Sequence, residues 1–167
     1  MFNIMLQDTL IFSPSEGINW DFLVPGPGGI PIPTYGEYGG PGYTGGERYL
    51  PAGSPSPVEA YEVRPIDPLD ALFRLHDIAY DPVLTPDPNG RVAGDLALIE
   101  GIAAIPDNQL DADASLYGGL ATIFAIEQIA TQDHSQLPSN TFDYILGAMS
   151  DIQNGLQNLH LPGADLL

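Results

Sequence analysis

A segment dominated by glycine and proline divides the chain and limits where regular structure can form. Residues 25–57 contain ten of the nineteen glycines and eight of the seventeen prolines. Proline removes an amide donor and glycine weakens helices and strands, so this density predicts no regular element within the segment. The fold therefore has to be built mainly from the residues that flank it.

Helical patterns follow this segment and predict a mainly α fold. The run "IDPLDALFRLHDIAYD" starts with Asp67 as an N-cap and Pro68 at the first helical position, and it ends before Pro82. Further helices are predicted over about residues 91–104, over about 108–130, and after a cap at Ser139 or Asn140. On the fourth helix, apolar side chains recur at steps of three and four, namely Phe142, Ile145, Leu146, Met149, Ile152 and Leu156. The last two helices have the pattern of scaffold, and a strand is expected over residues 5–12.

Charge and composition exclude several classes of partner. Four Arg and no Lys stand against 22 acidic residues, which gives a net charge of −18. Nucleic acid is not an expected partner, because neutralising phosphates needs clustered Arg and Lys. The chain has no cysteine for disulfides, its first residues lack the basic region of a signal peptide, and no run of 18 apolar residues is present to cross a membrane. These features predict a cytoplasmic protein without a transmembrane segment.

A histidine and two aspartates interrupt the apolar faces of the first two helices. His76 lies on a stripe with Leu69, Leu72, Phe73, Ala79 and Tyr80, and Asp95 lies on the apolar face of the second helix. At a rise of ~1.5 Å per residue, an antiparallel pair joined by a short loop brings His76 and Asp95 level. We therefore expect a dyad in which Asp95 fixes the tautomer of His76 and the other imidazole nitrogen acts as a general base. Tyr80 is placed to donate its hydroxyl to Asp95.

The glycine-rich run "YGGPGYTGG", residues 38–46, has no lysine or helix start directly after it to bind phosphate. A hard cation suits it better, because glycine lets the chain curl and aim several carbonyls inward. The carbonyls of Tyr38, Gly40 and Gly42 together with the carboxylate of Asp77 would supply calcium ligands. Two simpler alternatives stay open: the run is a flexible linker, and His76 is a hydrogen-bonded core residue.

Three motifs in order resemble a known family. "YGGPG" (38–42), "HDIAY" (76–80) and "AGDLALI" (93–99) are similar to the calcium-dependent phospholipase A2 superfamily, and most similar to its compact, cysteine-free parvoviral and bacterial branch. The resemblance covers roughly residues 35–105. Secreted members carry a Tyr-x-Gly-x-Gly calcium loop, a His-Asp-x-x-Tyr helix and a distant helical Asp, and each polar position has a match here.

The resemblance implies roles for individual residues. Tyr38, Gly40 and Gly42 would bind calcium through their carbonyls, and Asp77 would bind it through its carboxylate. His76 would be the base, Asp95 would orient it and Tyr80 would support Asp95, while the amide of Gly40 would help to bind the oxyanion. The implied fold has two antiparallel catalytic helices preceded by the Gly/Pro-rich calcium loop and braced by two C-terminal helices. The expected single domain, 1–167, comprises an N-terminal segment (1–34), the site region (35–105) and the bracing helices (106–167).

The sequence departs from the family at two points. Tyr43 stands where secreted enzymes have glycine, so the outer rim of the loop differs. Only nineteen positions separate His76 from Asp95, which implies that the β-wing of the secreted enzymes is missing. The lipid-facing surface of those enzymes therefore does not transfer to this chain.

The implied reaction is calcium-dependent hydrolysis of the sn-2 ester of a glycerophospholipid at a membrane or micelle surface. A metal-dependent phosphohydrolase would need further histidine ligands, and none precedes His76. His134 and Ser135 do not make a triad by adjacency, and no Gly-x-Ser-x-Gly motif is present. The remaining alternative is a non-catalytic, calcium-stabilised interaction module.

Lipid access and self-association are the least constrained expectations. Apolar residues that flank the loop are candidates for a collar around the acyl chains, namely Trp20, Phe22, Leu23, Ile30, Ile32, Tyr35 and Tyr43. The alternative is that this segment packs on the helices or crosses to another subunit. A long Pro-rich connection permits such exchange, so a homodimer is compatible with the sequence.

Overall fold

The structure, a computed structural model, describes residues 17–87, 89–133 and 136–159. Four helices are the main elements of this part of the chain: α1 (Pro68–Tyr80), α2 (Gly90–Ala103), α3 (Ala112–Asp133) and α4 (Thr141–Asn158). Two small antiparallel sheets precede them, β1 (Ile18–Pro25) with β2 (Pro31–Tyr35), and β3 (Tyr43–Thr44) with β4 (Glu47–Arg48). The predicted mainly α class is therefore confirmed, while the strand expected over residues 5–12 lies outside the described residues, as do His134 and Ser135.

Helix α1 begins and ends where its capping residues predict. The Asp67 side chain accepts the amide of Asp70 at 2.8 Å, and Pro68 occupies the first turn, where a missing amide costs nothing. The helix ends at Tyr80, before Pro82. Helix α2 starts one residue earlier than predicted, and α3 starts at Ala112 because a short 3₁₀ turn, Asp107–Gln109, occupies the residues before it.

The prediction that residues 25–57 contain no regular element was wrong. Strands β1 and β2 form a hairpin, with Val24 paired to Ile32 and Ile18 paired to Tyr35. Prolines at positions 25, 31 and 33 are accommodated because the sheet has only two strands, so one side of each strand needs no ladder hydrogen bond. Density of proline excludes central strands, but it does not exclude an isolated hairpin.

The core lies where α1, α2 and α3 meet and where the hairpin joins them. Leu69, Ile99 and Ile129 are fully buried, and Tyr35 contributes a buried ring that packs edge-on against Phe73. The hairpin is tied to α3 at two levels. The amide of Ile18 donates to Asp113 at 3.0 Å, and the hydroxyl of Tyr117 donates to the carbonyl of Pro33 at 2.9 Å.

Helix α4 packs against α3 but does not bury its whole apolar stripe. Ile145 and Ile152 are half-buried against the core. Four other members of the stripe are largely exposed, namely Phe142, Leu146, Met149 and Leu156. The prediction that α4 is scaffold applies only to the side of the helix that packs against α3. Apolar periodicity indicates that a helix face is apolar, but it does not indicate what covers that face.

Candidate functional site

Helix α1 lies against α2 closely enough for side chains to meet between them. A Cβ on Gly94 would lie 2.6 Å from the Cβ of Ala79, so glycine is required at this crossing. The same added atom would lie 4.0 Å from Cδ2 of His76. Gly94, directly before Asp95, thus sets the distance between the helices at the level of the histidine.

The structure brings His76 and Asp95 together. Nε2 of His76 lies 2.8 Å from Oδ1 of Asp95, and the aspartate is 1% exposed while the histidine side chain is 23% exposed. Because Nε2 is used by the carboxylate, Nδ1 is the nitrogen left to exchange a proton with solvent or substrate. Among the described residues, Nδ1 makes no hydrogen bond. A buried acid behind a partly exposed imidazole is the arrangement that fixes the tautomer of a general base.

Tyr80 binds the second oxygen of the buried Asp95 carboxylate. Its hydroxyl donates to Oδ2 of Asp95 at 2.8 Å, and its ring lies against the imidazole of His76 with 4.5 Å between centroids. Burial and the charge of Asp95 raise the pKa of Tyr80, so the phenol remains a donor at neutral pH. Both oxygens of Asp95 are therefore satisfied, which a carboxylate this deeply buried requires.

Arg91 is a member of this cluster that the sequence analysis did not identify. Its guanidinium carbon lies 5.6 Å from the centroid of the Tyr80 ring, within the range of a cation–π contact. The available signal was its position in the first turn of α2, level with the end of α1. A positive charge on the exposed side of Tyr80 partly balances the acid that Tyr80 contacts.

A second polar stripe on α1 was also missed. Asp70, Arg74, Asp77 and Asp81 follow one another at steps of four, three and four residues, which places them on one face of the helix. This face contacts the Gly/Pro-rich segment. The spacing was visible in the sequence, but the partners are mainly backbone amides far along the chain and carry no signature of their own.

Asp70 fixes the start of the glycine-rich loop to α1. It is fully buried and accepts the amides of Glu37, Tyr38 and Ile66 at 2.9–3.1 Å. Burial raises the pKa of Asp70 to about 6 against the opposing effect of these amide donors. Gly36 turns the chain beside it with φ of +54°, and a Cβ at this position would lie 2.5 Å from the carboxyl carbon.

Asp77 faces the loop from the middle of the same stripe. Its Oδ2 accepts the hydroxyl of Thr44 at 2.8 Å, and no basic side chain in the described part of the chain forms an ion pair with it. Burial raises the pKa of Asp77 well above its usual value, and the charge of Asp70 adds to this effect. A carboxylate in such surroundings favours either a proton or a cation.

The loop itself has the backbone that only glycine adopts readily. Gly40 has φ of +140° and Gly42 has φ of +67°. The carbonyl of Gly40 accepts the amide of Tyr43 at 3.1 Å, and the carbonyl of Gly42 accepts the amide of Tyr49 at 2.7 Å. Each carbonyl oxygen has a second lone pair that such a bond leaves available. Tyr38, the third predicted ligand, is held by its amide on Asp70 and by its hydroxyl on the carbonyl of Ala60 at 3.0 Å.

The groups around Asp77 are oxygen donors, the type of ligand that hard cations such as calcium bind. Within residues 17–87, 89–133 and 136–159, no three His, Cys, Asp or Glu side chains cluster as a metal site. Calcium binds oxygen ligands, backbone carbonyls as well as carboxylates, whereas transition metals prefer imidazole and thiolate ligands. The Asp77 carboxylate forms no ion pair among the described residues and contacts Thr44 of the glycine-rich loop, whose backbone carbonyls are donors of the type that calcium binds.

Asp81 lies at the C-terminal end of the same face of α1 and forms hydrogen bonds with residues before and after the helix. It is 2% exposed and accepts four hydrogen bonds, from the amides of Ser56, Val83 and Leu84 and from the hydroxyl of Tyr61. Burial opposes its ionisation, but the four hydrogen bonds outweigh burial and lower the pKa of Asp81.

We expect the Asp81→Asn variant to be less stable at pH 7 by about 1–3 kcal/mol. The amide nitrogen of asparagine cannot accept the hydrogen bonds that one of the carboxylate oxygens accepts, so buried donors lose their partner. Because the folded pKa is lowered, the contribution of Asp81 is complete above its unfolded pKa of about 4 and is lost as the pH falls through the folded value. Urea denaturation at pH 7 and pH 3 measures this difference. A difference that is equal at both pH values would contradict it.

A cavity of about 320 Å³ opens beside the histidine, between α1 and α2. Apart from His76, its walls are mainly apolar, with Leu72, Leu75 and Ala79 from α1 and Ala93 and Ala97 from α2. Mostly apolar walls with a few polar groups, here His76 and Thr85, are typical of small-molecule sites. The sequence analysis did not identify this cavity, because small residues such as alanine carry no signal for a binding site.

The predicted apolar collar is only partly in place. Trp20, Leu23 and Ile30 are exposed and stay available for it. Tyr35 and Tyr43 are buried and belong to the core, so their inclusion was wrong. Their rings bury because each has interior partners: Tyr35 donates its hydroxyl to Asp67, and Tyr43 donates its own to the carbonyl of Gly36 at 3.1 Å.

A larger cavity of about 610 Å³ lies away from the histidine, between α4 and the ends of α2 and α3. Its walls include Asp107, Asp143 and Asp151, with amide and hydroxyl side chains between them. It contains no base with a positioned partner. The chemistry of the described residues is therefore concentrated at His76.

The helices of the structure do not reach the length and hydropathy needed to span a membrane within the described residues. A scan of protein-family models, a search of curated proteins and a search of solved structures returned no match to this chain.

Proposed function

We propose that this protein is a calcium-dependent phospholipase A2, which hydrolyses the sn-2 ester of glycerophospholipids to a fatty acid and a lysophospholipid. The observation that carries the proposal is the His76–Asp95 contact at 2.8 Å, with Asp77 one residue further along α1 and bound to Thr44 of the glycine-rich loop. Asp77 is rotated about 100° from His76. Helix α1 thus presents the base on one side and the cation ligand on an adjacent side.

In this proposal, His76 removes a proton from water through Nδ1, and the water attacks the ester carbonyl. Asp95 stabilises the imidazolium that forms, and Tyr80 keeps Asp95 in position. His76 then returns the proton to the leaving alkoxide. Because water is the nucleophile, no covalent acyl-enzyme forms. A positioned base of this kind typically contributes about 10²–10⁴ in rate.

Asp77 and the carbonyls of Tyr38, Gly40 and Gly42 would hold the calcium ion. When bound, calcium supplies positive charge that polarises the ester carbonyl and attracts the lipid phosphate. The amide of Gly40 would donate to the oxyanion. The chain carries only four Arg against 22 acidic residues, so a bound cation provides the charge that a phosphate-bearing substrate needs.

The cavity beside His76 supports a lipid substrate over a water-soluble ester. Its apolar walls and its volume of about 320 Å³ suit part of an acyl chain. Exposed Trp20 and Leu23 on β1 offer further apolar contacts at a lipid surface.

The experiment that tests the proposal is an assay of purified protein on phosphatidylcholine and phosphatidylglycerol vesicles, with calcium or with a chelator. We expect free fatty acid and lysophospholipid with calcium and neither product with the chelator. Calcium binding by calorimetry without release of fatty acid would instead identify a calcium-stabilised interaction module and contradict the enzyme proposal.

We expect the Ala97→Leu variant to lower kcat/KM for phospholipid about tenfold, because the larger side chain fills the cavity beside His76. A tenfold loss corresponds to about 1.4 kcal/mol, near the lower end of the ~1–3 kcal/mol that one extra methylene costs in an apolar pocket. Ala103→Leu is the matched control, since Ala103 is on the same helix but lines the larger cavity. If the control loses activity and Ala97→Leu does not, the acyl chain lies in the other cavity.

A further inference from the structure

Helices α3 and α4 together expose a set of large apolar side chains that nothing in the described chain covers. On α4, Phe142 is 67% exposed, Leu146 50%, Met149 59% and Leu156 60%. On α3, Leu120 and Phe124 are each 39% exposed. We refer to these six residues as the α3/α4 face. An exposed apolar patch of this size marks an interaction site more often than chance.

The two helices are in a register that makes this face continuous. A Cβ on Gly119 would lie 2.6 Å from the carbonyl oxygen of Ala148, and one on Gly155 would lie 2.6 Å from the Cβ of Leu116. The antiparallel pairing therefore places Leu120 level with Met149, and Phe124 level with Leu146. The six side chains form one surface along the groove between the helices.

The spacing along α4 favours another helix as the occupant. Phe142, Met149 and Leu156 are separated by seven residues, the period with which one helix packs along another. The six side chains are uncharged, and the nearest charge along α3 is the exposed Glu127, one turn after Phe124 at the edge of the face. The acidic residues of α4, Asp143 and Asp151, line the cavity toward α2 instead. Neither α3 nor α4 contains a Lys or Arg that would bind lipid phosphates.

We propose that the α3/α4 face is the interface of a homodimer, in which it packs against the same face of a second copy. A two-fold axis makes such a surface its own partner. A large side chain has roughly 200 Å² of surface, so six of them, each about half exposed, provide roughly 600 Å². Exposed polar neighbours such as Gln128 bring this toward the ~800 Å² per partner of a standard interface. This proposal is independent of the proposed hydrolysis.

The net charge of −18 on each copy gives the dimer a distinctive dependence on salt. The two copies repel each other through solvent, and the range of this repulsion falls from about 10 Å in 0.1 M salt to about 3 Å in 1 M salt. The apolar contact itself does not weaken with NaCl. We therefore expect the dissociation constant to fall about tenfold or more between these concentrations, the opposite of an interface held by ion pairs.

Sedimentation velocity on the full chain at micromolar concentration, in 0.1 M and 1 M NaCl, tests this proposal. We expect a species of twice the 17.8 kDa chain mass, more populated at high salt. Met149→Glu places like charges across the two-fold axis and should give a monomer with an unchanged far-UV circular dichroism spectrum. Leu146→Gln, a milder change, should weaken the dimer without disturbing the fold.

Asn154→Glu is the matched control, because it adds the same charge to an exposed position of α4 that lines the cavity toward α2. It should leave the dimer intact. A monomer under every condition, a dimer that Met149→Glu does not affect, or a monomer that binds phosphatidylcholine vesicles through this face would each overturn the proposal.

Discussion

Replacing His76 with Asn is expected to reduce phospholipid hydrolysis by about 10³-fold or more while calcium binding is retained. The imidazole is the only group in the described chain with a buried carboxylate behind it and a free nitrogen in front. Asn keeps a polar side chain that Asp95 can contact, but it cannot take a proton from water. A loss of this size is what removal of a positioned base produces.

The measurement for His76→Asn is the initial rate of fatty acid release, with calcium affinity measured by calorimetry and folding by circular dichroism. Glu100→Gln, an exposed position on α2, is the control and should keep full activity. Tyr80→Phe should lose several-fold only, because it removes one hydrogen bond from Asp95 and leaves the base in place. Activity near that of the wild type in His76→Asn would exclude the proposed mechanism.

Replacing Asp77 with Asn is expected to weaken calcium binding about 100-fold or more and to abolish hydrolysis. A contact between opposite charges is worth about 4 kcal/mol at 4 Å and an effective dielectric constant of about 20, so losing the carboxylate removes most of the affinity of the site. The Asn oxygen can still accept the hydroxyl of Thr44. We therefore expect the glycine-rich loop to keep its position in the variant.

The same variant should change stability in opposite directions with and without calcium. Burial raises the pKa of Asp77, so in the metal-free protein its ionised form destabilises the fold at any pH above the unfolded value, about 4. We expect Asp77→Asn to melt at a higher temperature than the wild type in chelator and at a lower temperature in saturating calcium. Asp21→Asn, an exposed position on β1, should do neither. Identical shifts in both conditions would show that Asp77 is not a calcium ligand.

The contact between His76 and Asp95 could be predicted from sequence because it depends on two strong signals. Apolar periodicity places each residue on the inner face of its helix, and the short connection between the helices fixes their level. The structure has Asp95 buried and 2.8 Å from the histidine. Tyr80 could be predicted with them, since it lies one helical turn after His76.

The attachment of the loops to α1 could not be predicted. Asp70 and Asp81 accept loop amides from residues 25 to 33 positions away, and a backbone amide is the same for every residue type except proline. Only the spacing of acids along α1 pointed to a second functional face. The hairpin of β1 and β2 was missed for a related reason, because prolines that exclude a central strand are tolerated in a sheet of two strands.

The α3/α4 face shows a different limit. The sequence identifies Phe142, Met149 and Leu156 as one apolar stripe, yet a stripe buried inside a monomer and a stripe buried between two copies have the same pattern. What distinguishes them is the amount of chain available to cover the stripe. That quantity is set by the tertiary fold.

The most direct test of the central claim is to identify the products from phosphatidylcholine with palmitate at sn-1 and oleate at sn-2, by mass spectrometry. If His76 and the calcium loop form one catalytic site, calcium should give oleate and 1-palmitoyl lysophosphatidylcholine in equal amounts, and chelator should give neither. Release of palmitate in place of oleate, hydrolysis that persists in chelator, or intact lipid at saturating calcium would contradict it.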